Sequence, residues 1–462
     1  MDKTAWLESR WNPFMEDLVT LIRIPSVTHE TGDPACPFGE PCARVLDAIM
    51  RIGNRMGFET RNHEGYCATL LWKGETEEEI GIFAHLDVVP EGTGWTGDPY
   101  EPILLHDKLI ARGSSDDKGP ALSALYALLY LKESGYRPRH SIRFFFGVNE
   151  EAGMKDIDYY VEHMPMPAFS FTPDASFPVC YGEKGILGVR AKFDLRGSVL
   201  RSFVSGVASN AVPAHAEALL SVPFARVSAA LSGLPDIEVA EEAQGCRVIA
   251  HGIAAHAAFP EGSRSAQVIL CQALLRLPDL DEKARRFANA CCSLFADTYG
   301  AGLGVPLEDA VSGKLTHVGG MVLFADGEAE QDINIRYPVT ADRDAMKAAI
   351  TSCLEGCGFT GVTMKDSAPS YVDKDSPAVV RLTQIANRVL GTDLPPFTMG
   401  GGTYARHLRN AVGYGPGLRG TESEFGPSRG KGHQPDEYVT YKKLKDGFAV
   451  YAEAIPALDE II

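Results

Sequence analysis

The sequence lacks the features that mark several common structural classes. Its ten cysteines are scattered over 462 residues and form no Cys-x-x-Cys pair, so a structural zinc knuckle is not expected. The same scatter fits buried thiols in a reducing compartment better than a disulfide framework. No apolar run is long enough to span a bilayer, and the first residues show neither the basic segment nor the apolar core of a signal peptide. We therefore expect a cytoplasmic protein.

Positive charge is also scarce. The chain has 44 Lys and Arg against 61 Asp and Glu, a formal net charge of -17. This balance argues against nucleic acid or an anionic membrane as the main partner. With 45% hydrophobic and 23% charged residues the composition is typical of a globular protein, and the length predicts about two or three domains.

The first candidate for chemistry is an apolar stretch, residues 81–90, that contains two polar side chains. If this stretch is a strand, His85 and Asp87 project to the same face because successive side chains alternate. A metal-bound histidine usually donates its second ring N–H to a carboxylate or a carbonyl, and this pair could supply both the histidine and its carboxylate partner. A lone His-x-Asp pair is nevertheless more often structural, so the interpretation depends on the rest of the chain.

Carboxylates follow two further predicted strands. The apolar run Ser141–Val148 is followed by Asn149 and then by Glu150 and Glu151, and the run Phe169–Thr172 is followed by Pro173 and Asp174. Two consecutive carboxylates at the end of so apolar a strand cost electrostatic energy unless cations neutralise them. Because an α/β sheet usually places its site at the carboxyl ends of its strands, we expect these side chains to lie near His85.

Two other segments complete the candidate site. Asp116 precedes a predicted helix over about 120–133, where it also has an alternative role as a helix cap, and His433 lies near the C-terminus in Gly-His-Gln-Pro-Asp-Glu. Imidazoles and carboxylates without a thiolate suit two divalent ions that share a bridging carboxylate.

Taken together, these motifs resemble the M20 family of dinuclear zinc amidohydrolases and, within it, the PepV-type dipeptidases. The matching segments are His85–Pro90 with Gly94 and Trp95, Ser115–Pro120, Asn149–Glu151, Pro173–Asp174, and His433 within His-Gln-Pro-Asp-Glu. They occur in the order that the family has and span nearly the whole chain. The resemblance implies an α/β fold: a mixed-sheet catalytic domain formed by residues 1–184 and 378–462, with an inserted α/β lid domain over 185–377.

The resemblance also implies a role for each candidate residue. It assigns the ligands in two sets that share one member: His85, Asp174 and Asp116 on one ion, and Glu151, His433 and Asp116 on the other. Two Zn²⁺ are expected, with Mn²⁺ or Co²⁺ as alternatives. Asp87 would orient His85, and the Asp116–Asp117 peptide bond would be cis. Glu150 would be the general acid/base for a metal-bridging water, since that task needs a free carboxylate oxygen, although spacing alone does not separate it from Glu151.

Residues 185–377 read as alternating strands and helices with a core of their own, although no internal repeat is evident. The family has a lid of two similar halves here. Five substrate-contacting residues are implied: His256 as the donor to the oxyanion, and Asn210, Arg336, Gly402 and Thr403 as the substrate-binding residues. A guanidinium such as that of Arg336 suits a free C-terminal carboxylate, which it binds in a bidentate manner.

The sequence thus predicts a monomeric cytoplasmic dipeptidase that acts on free dipeptides, with neither nucleic acid nor membrane as a partner. The nearest alternative is an N-acyl amino acid deacylase or a desuccinylase of the same clan. The length of the inserted segment and the form Asp116-Asp-Lys-Gly-Pro favour the dipeptidase. A second alternative is a non-catalytic metal-binding or peptide-binding protein, against which the presence of Glu150 argues. A transport or scaffold role has no support in the sequence.

Overall fold

The computed structural model describes residues 1–426 and 428–462, and these residues form two compact units. Unit 1 comprises Met1–Gly182, Ser370–Thr398 and Gly402–Ile462, and unit 2 comprises Glu183–Pro369 and Met399–Gly401. The inserted segment therefore returns to unit 1 at Ser370, earlier than the boundary at 377 that the sequence indicates. The reason is a short strand, Ser370–Tyr371, which joins the sheet of unit 1.

The described residues contain ten α-helices. They are α1 Lys3–Ile22, α2 Glu40–Arg55, α3 Lys118–Glu133, α4 Lys155–His163, α5 Phe224–Leu231, α6 Ala266–Leu274, α7 Glu282–Leu294, α8 Arg343–Gly356, α9 Pro377–Leu390 and α10 Tyr441–Ile461. Two short 3₁₀ helices cover Glu150–Ala152 and Tyr404–His407. Several helices begin where a Ser, Thr or Asp side chain accepts a backbone N–H of the first turn, as Ser376 does for α9. Among the described helices, none is long and apolar enough to cross a membrane.

The same residues contain 24 strands, most of them short. They are β1 Glu59–His63, β2 Cys67–Trp72, β3 Thr76–His85, β4 Ile103–Leu104, β5 Lys108–Ile110, β6 His140–Gly147, β7 Phe169–Thr172, β8 Ala175–Phe177, β9 Cys180–Glu183, β10 Gly185–Asp194, β11 Leu200–Ser205, β12 His215–Leu220, β13 Ile237–Glu242, β14 Gly245–His251, β15 Glu308–Asp309, β16 Gly313–Lys314, β17 Thr316–Ala325, β18 Glu328–Tyr337, β19 Thr360–Ser367, β20 Ser370–Tyr371, β21 Phe397–Met399, β22 Ala411–Gly413, β23 Pro416–Leu418 and β24 Tyr438–Thr440.

Unit 1 is built on a nine-stranded mixed sheet. Its order is β1-β2-β6-β3-β7-β22-β9-β20, with β21 paired to β9. The three central strands β6, β3 and β7 run parallel to one another, whereas β1, β2 and β6 pair in antiparallel fashion. Strands β2 and β3 follow one another in the chain, but β6 lies between them in the sheet. All eight residues of β6 are buried, as expected for an apolar strand at the centre of a sheet.

Unit 2 contains an eight-stranded antiparallel sheet in the order β13-β14-β12-β11-β17-β18-β10-β19. Strands β11 to β14 form one side of this sheet, and β10 with β17 to β19 forms the other. The two similar halves that the family resemblance implies stay a prediction. Phenylalanines that contact one another edge-on, among them Phe193, Phe287 and Phe203, lie in its core.

The parallel arrangement in unit 1 is what positions the candidate site. Because β6, β3 and β7 are adjacent and parallel, their carboxyl ends lie at the same edge of the sheet. His85 is the last residue of β3, and the segments that leave β6 and β7 carry the predicted glutamates and Asp174. The sheet therefore gathers residues that are up to about ninety positions apart in the sequence.

Candidate metal centre

The five predicted ligand residues lie together in unit 1, in two groups that share Asp116. In each group the ligand atoms lie within 4.8 Å of one another: His85, Asp116 and Asp174 form one group, and Asp116, Glu151 and His433 form the other. His85 Nε2 lies 3.0 Å from Asp116 Oδ1 and 3.9 Å from Asp174 Oδ2. His433 Nε2 lies 2.8 Å from Glu151 Oε1 and 3.2 Å from Asp116 Oδ2.

The two oxygens of Asp116 therefore point in different directions, Oδ1 to His85 and Oδ2 to His433. This is the geometry of a carboxylate that bridges two ions. A tetrahedral site with metal–ligand bonds of about 2.0–2.2 Å separates its ligand atoms by about 3.3–3.6 Å, close to the distances observed here. The set contains only imidazole nitrogens and carboxylate oxygens, which suits zinc and also manganese or cobalt. The residues present thus fit a pair of divalent ions.

The backbone has unusual conformations beside two of the predicted ligands. The peptide bond between Asp116 and Asp117 is cis, as the family resemblance implies. His433 has a φ of 65°, in the left-handed region. The preceding residue, Gly432, lies so close to Asp116 that a Cβ there would be 2.7 Å from Asp116 Oδ2. A glycine at this position is what allows the C-terminal segment to approach the bridging carboxylate.

The ring of His85 is fully buried and oriented by its neighbour. His85 Nδ1 donates to the backbone carbonyl oxygen of Asp87 at 3.0 Å, while the Asp87 carboxylate lies 3.4 Å away. The backbone carbonyl of Asp87 is thus nearer to the ring than its carboxylate, whereas the sequence-based prediction concerned the carboxylate. With the proton on Nδ1, Nε2 is the nitrogen that faces Asp116 and Asp174. The orienting role of Asp87 stays a prediction, and both its backbone carbonyl and its carboxylate lie near the ring.

Glu150 belongs to neither group of ligand atoms, although it is the neighbour of Glu151. Desolvation raises the pKa of Glu150 well above its usual value, and the nearby carboxylates of Glu151 and Asp87 raise it further against the opposing effect of His85. The pKa values of the predicted ligands Glu151 and Asp174 are raised as well, so the feature that distinguishes Glu150 is its place outside the ligand set. Its position favours the predicted division of roles between the two adjacent glutamates.

The carboxylates and histidines of the cluster shift one another's pKa values. Desolvation alone would raise the pKa of Asp116, but hydrogen bonds from His433 and His85 outweigh it and hold the pKa well below its ordinary value. Hydrogen bonds to Asp116 and Glu151 raise the pKa of His433 to about 11. The carboxylates thus retain protons on the histidines when nothing else neutralises them. Divalent ions would displace these protons.

One buried ion pair beneath the site has no assigned role in the sequence analysis. Glu437 Oε1 accepts the backbone N–H of Ser115 at 2.8 Å and of Asp116 at 3.1 Å, and Glu437 Oε2 accepts from Arg112 at 2.8 Å. Both ionic side chains are almost fully buried. Because Glu437 follows His433 by four residues, it ties that segment to the backbone of the bridging aspartate. Its place within the same His-Gln-Pro-Asp-Glu motif is the only signal that the sequence offers.

Three of the predicted substrate-contacting residues lie together in unit 2. The backbone oxygen of Asn210 accepts the N–H of Ala257, next to His256. Arg336, which is 6% exposed, donates to the backbone oxygen of Gly400 at 3.1 Å, and a Cβ on Gly400 would meet the side chain of Ala258 at 2.8 Å. These contacts connect Arg336 and Asn210 through the segment that holds His256.

The orientation of the His256 ring follows from one hydrogen bond. The N–H of Ala258 donates to His256 Nδ1 at 3.1 Å. In the neutral ring Nδ1 is therefore the acceptor and Nε2 carries the proton. Nε2–H is the kind of neutral donor that an oxyanion requires.

Gly402 and Thr403 belong to unit 1. Thr403 Oγ1 accepts the N–H of Ala405 at 3.2 Å and so caps the 3₁₀ helix Tyr404–His407. The guanidinium of Arg406 lies directly against Gly402, because a Cβ there would be 2.1 Å from its Nη2. The substrate-binding roles of Gly402 and Thr403, like those of the residues in unit 2, stay predictions.

The chain is similar to several known proteins. The profile of "Peptidase family M20/M25/M40" matches residues 81–457. The "Putative dipeptidase YtjP" of Bacillus subtilis (strain 168) is 34% identical over 458 residues, which cover 96% of each chain. Among solved structures, human carnosine dipeptidase 1 has a TM-score of 0.58 at 14% identity and covers 99% of this chain and 98% of its own. An M20 family metallo-carboxypeptidase from Sulfolobus solfataricus has a TM-score of 0.58 at 15% identity, with full coverage of both chains.

Proposed function

The chain belongs to peptidase family M20/M25/M40, and from this premise we propose that it is a metal-dependent dipeptidase that hydrolyses free dipeptides. The family makes it a hydrolase acting on peptide bonds. The relative that is 34% identical over nearly the whole of both chains is named as a dipeptidase, which supports the narrower substrate class. The structural neighbours support the fold, at 14–15% identity.

One observation carries the proposal: the two oxygens of Asp116 face the histidines of two separate ligand groups, and Glu150 lies outside both groups. His85, Asp116 and Asp174 would hold one ion, and Asp116, Glu151 and His433 the other. When bound, two ions would act as Lewis acids on an attacking water and on the carbonyl to be cleaved. A protein that only binds metal has no use for a free carboxyl group with a raised pKa at this place.

Glu150 would take the proton from the attacking water and deliver it to the departing amine nitrogen. The raised pKa supports this role, because a general base must also become a competent acid in the next step. Asp87 accepts the backbone N–H of Glu150 at 3.2 Å and so holds this residue in place. Each turnover thus returns Glu150 to its starting protonation state.

The residues of unit 2 would bind and polarise the substrate. His256 Nε2–H would donate to the oxyanion of the tetrahedral intermediate, a contact that forms mainly in the transition state. Arg336 would bind the C-terminal carboxylate of the dipeptide in a bidentate manner, with Asn210, Gly402 and Thr403 as further substrate contacts. We propose on this basis that unit 2 serves as the lid domain. All ten cysteines are free thiols, which supports the cytoplasm as the compartment, and we propose a monomer.

The second candidate is an N-acyl amino acid deacylase of the same family, because such a substrate also presents a free carboxylate to Arg336. The experiment compares free dipeptides with N-acetyl and N-succinyl amino acids of the same C-terminal residue, using protein loaded with zinc, manganese or cobalt. We expect the free dipeptides to give the highest kcat/KM. A preference for the N-acyl compounds would replace the dipeptidase proposal by the deacylase, and no turnover of either class would contradict both.

A further inference from the structure

The loop that carries Glu150 and Glu151 is held by two buried carboxyl groups, those of Asp87 and Asp156. Four consecutive backbone N–H groups are involved: those of Val148 and Asn149 donate to Asp156 Oδ2 at 2.7 and 2.8 Å, and those of Glu150 and Glu151 donate to Asp87 Oδ1 and Oδ2 at 3.2 and 3.0 Å. Asp87 and Asp156 are both fully buried. The path of the backbone through the two glutamates is thus fixed by hydrogen bonds to two buried carboxyl groups.

Asp156 has a further partner outside this loop. The hydroxyl of Tyr404 donates to Asp156 Oδ2, and Asp156 Oδ1 accepts the N–H of Ile157 at the start of α4. Tyr404 is 1% exposed and directly follows Thr403. One carboxylate therefore holds both the loop of the acid/base glutamate and the segment that begins with Gly402 and Thr403.

The hydrogen bond between Tyr404 and Asp156 is tightly packed against the backbone of β6. A Cβ added to Gly147, the last residue of β6, would lie 1.9 Å from the Tyr404 hydroxyl oxygen and 2.2 Å from Asp156 Oδ2. The backbone of the strand thus passes directly over the two side chains. The Tyr404 ring packs edge-on against Phe145 at a centroid distance of 5.3 Å, so the hydroxyl has little freedom to move away from Asp156.

We propose that Asp156 and Tyr404 are positioning residues of the active site, which set the place of Glu150 relative to the Gly402–Thr403 segment through their shared hydrogen bond. This inference rests on the proposed function, in which Glu150 moves the proton and Thr403 contacts the substrate. Neither Asp156 nor Tyr404 belongs to the two ligand groups, so both act through the backbone that they hold. Loss of the hydrogen bond should therefore affect catalysis and substrate binding together in protein that is saturated with metal.

Tyr404→Phe is the decisive variant, because it removes one hydroxyl and keeps the ring. The chain offers a matched control in Tyr160→Phe. Tyr160 is also fully buried and packs against the same Phe145 at a centroid distance of 5.1 Å, but its hydroxyl has no hydrogen-bond partner among the described residues. The two variants thus make the same chemical change in the same cluster and differ in one hydrogen bond.

For Tyr404→Phe in metal-saturated protein we expect kcat/KM to fall about tenfold or more, the scale of one buried hydrogen bond, with a lower kcat and a higher KM. Tyr160→Phe should keep the parental kcat and KM. In the double variant with Asp156→Asn the losses should be less than additive, because both changes break one interaction. Parental kinetics for Tyr404→Phe, or equal losses for Tyr160→Phe, would overturn the inference.

A second readout does not depend on turnover. Hydrogen exchange of the backbone amides should become about tenfold faster in Tyr404→Phe both at residues 148–151 and at residues 402–405, and not in Tyr160→Phe. If the parent protein hydrolysed no dipeptide, the proposed function would fail, whereas this comparison would still decide the positioning role. Faster exchange in only one of the two segments, or in neither, would overturn the inference that one hydrogen bond holds both.

Discussion

Exchanging the two adjacent glutamates for glutamine, one at a time, separates the proton carrier from the metal ligand. Glu151 Oε1 lies 2.8 Å from His433 Nε2 and belongs to a ligand group, whereas Glu150 belongs to neither group. Glu150→Gln preserves the size of the side chain and its backbone hydrogen bond to Asp87, but its amide cannot take a proton from water. We therefore expect both ions to be retained in this variant.

The magnitudes of the two effects follow from these positions. A general acid/base contributes about 10²–10⁴-fold to turnover, so Glu150→Gln should lose about 3–5 kcal/mol of transition-state stabilisation at about 1.4 kcal/mol per factor of ten. Removing a residue that only orients a ligand costs about 10–100-fold in metal affinity, so removing the ligand itself in Glu151→Gln should cost more than about 100-fold for one ion. The first variant should thus lose turnover but keep its metal, and the second should lose affinity for one ion.

The assay measures metal content after gel filtration together with kcat for a free dipeptide. Glu162→Gln is a suitable control, because Glu162 is exposed and the substitution makes the same chemical change. It should behave as the parent in both measurements. Equal metal content in Glu150→Gln and Glu151→Gln, or loss of an ion from Glu150→Gln alone, would refute the assignment.

Three further perturbations test residues around this pair. His256→Ala should lower kcat by about 10²–10³-fold at unchanged metal content, as for loss of one oxyanion donor, and a parental rate would make His256 structural. Amidation of the C-terminus of a dipeptide should lower kcat/KM by about 30-fold or more, because the nearly buried Arg336 loses its charged partner, whereas equal rates would remove Arg336 from the site. Glu437→Gln replaces an acceptor of backbone N–H groups by an amide, so metal affinity should fall about 10–100-fold; an unchanged affinity would contradict the support of Asp116 by Glu437.

Three of the predicted ligands, His85, Glu151 and Asp174, lie at the end of a strand or shortly after it. Because parallel strands deliver their carboxyl ends to one edge of a sheet, the sequence could group these three residues. The order of the strands is not contained in their local sequence, and β6 lies between β2 and β3 although it follows both in the chain. Pairing in a sheet depends on contacts between segments distant in the chain, and those have no local pattern.

Residues that act through another residue are the ones that sequence reasoning misses. Asp156 reads as an ordinary acidic residue in the first turn of α4, and nothing near it in the chain points to Tyr404. Lys118, within the motif of the bridging aspartate, donates to the carbonyl oxygens of Leu21 and Ile24 at the end of α1 instead of contacting a ligand. Such roles depend on partners that only the folded chain brings close.

The central claim is that Asp116 bridges two ions that together support peptide hydrolysis, and a metal titration tests it most directly. Divalent ions are added in known ratio to metal-depleted protein, and hydrolysis of a free dipeptide is measured at each ratio. The two ligand groups predict no activity in the metal-free protein and a rise that ends at two ions per chain. Full activity without metal, or a rise that ends at one ion per chain, would contradict the account.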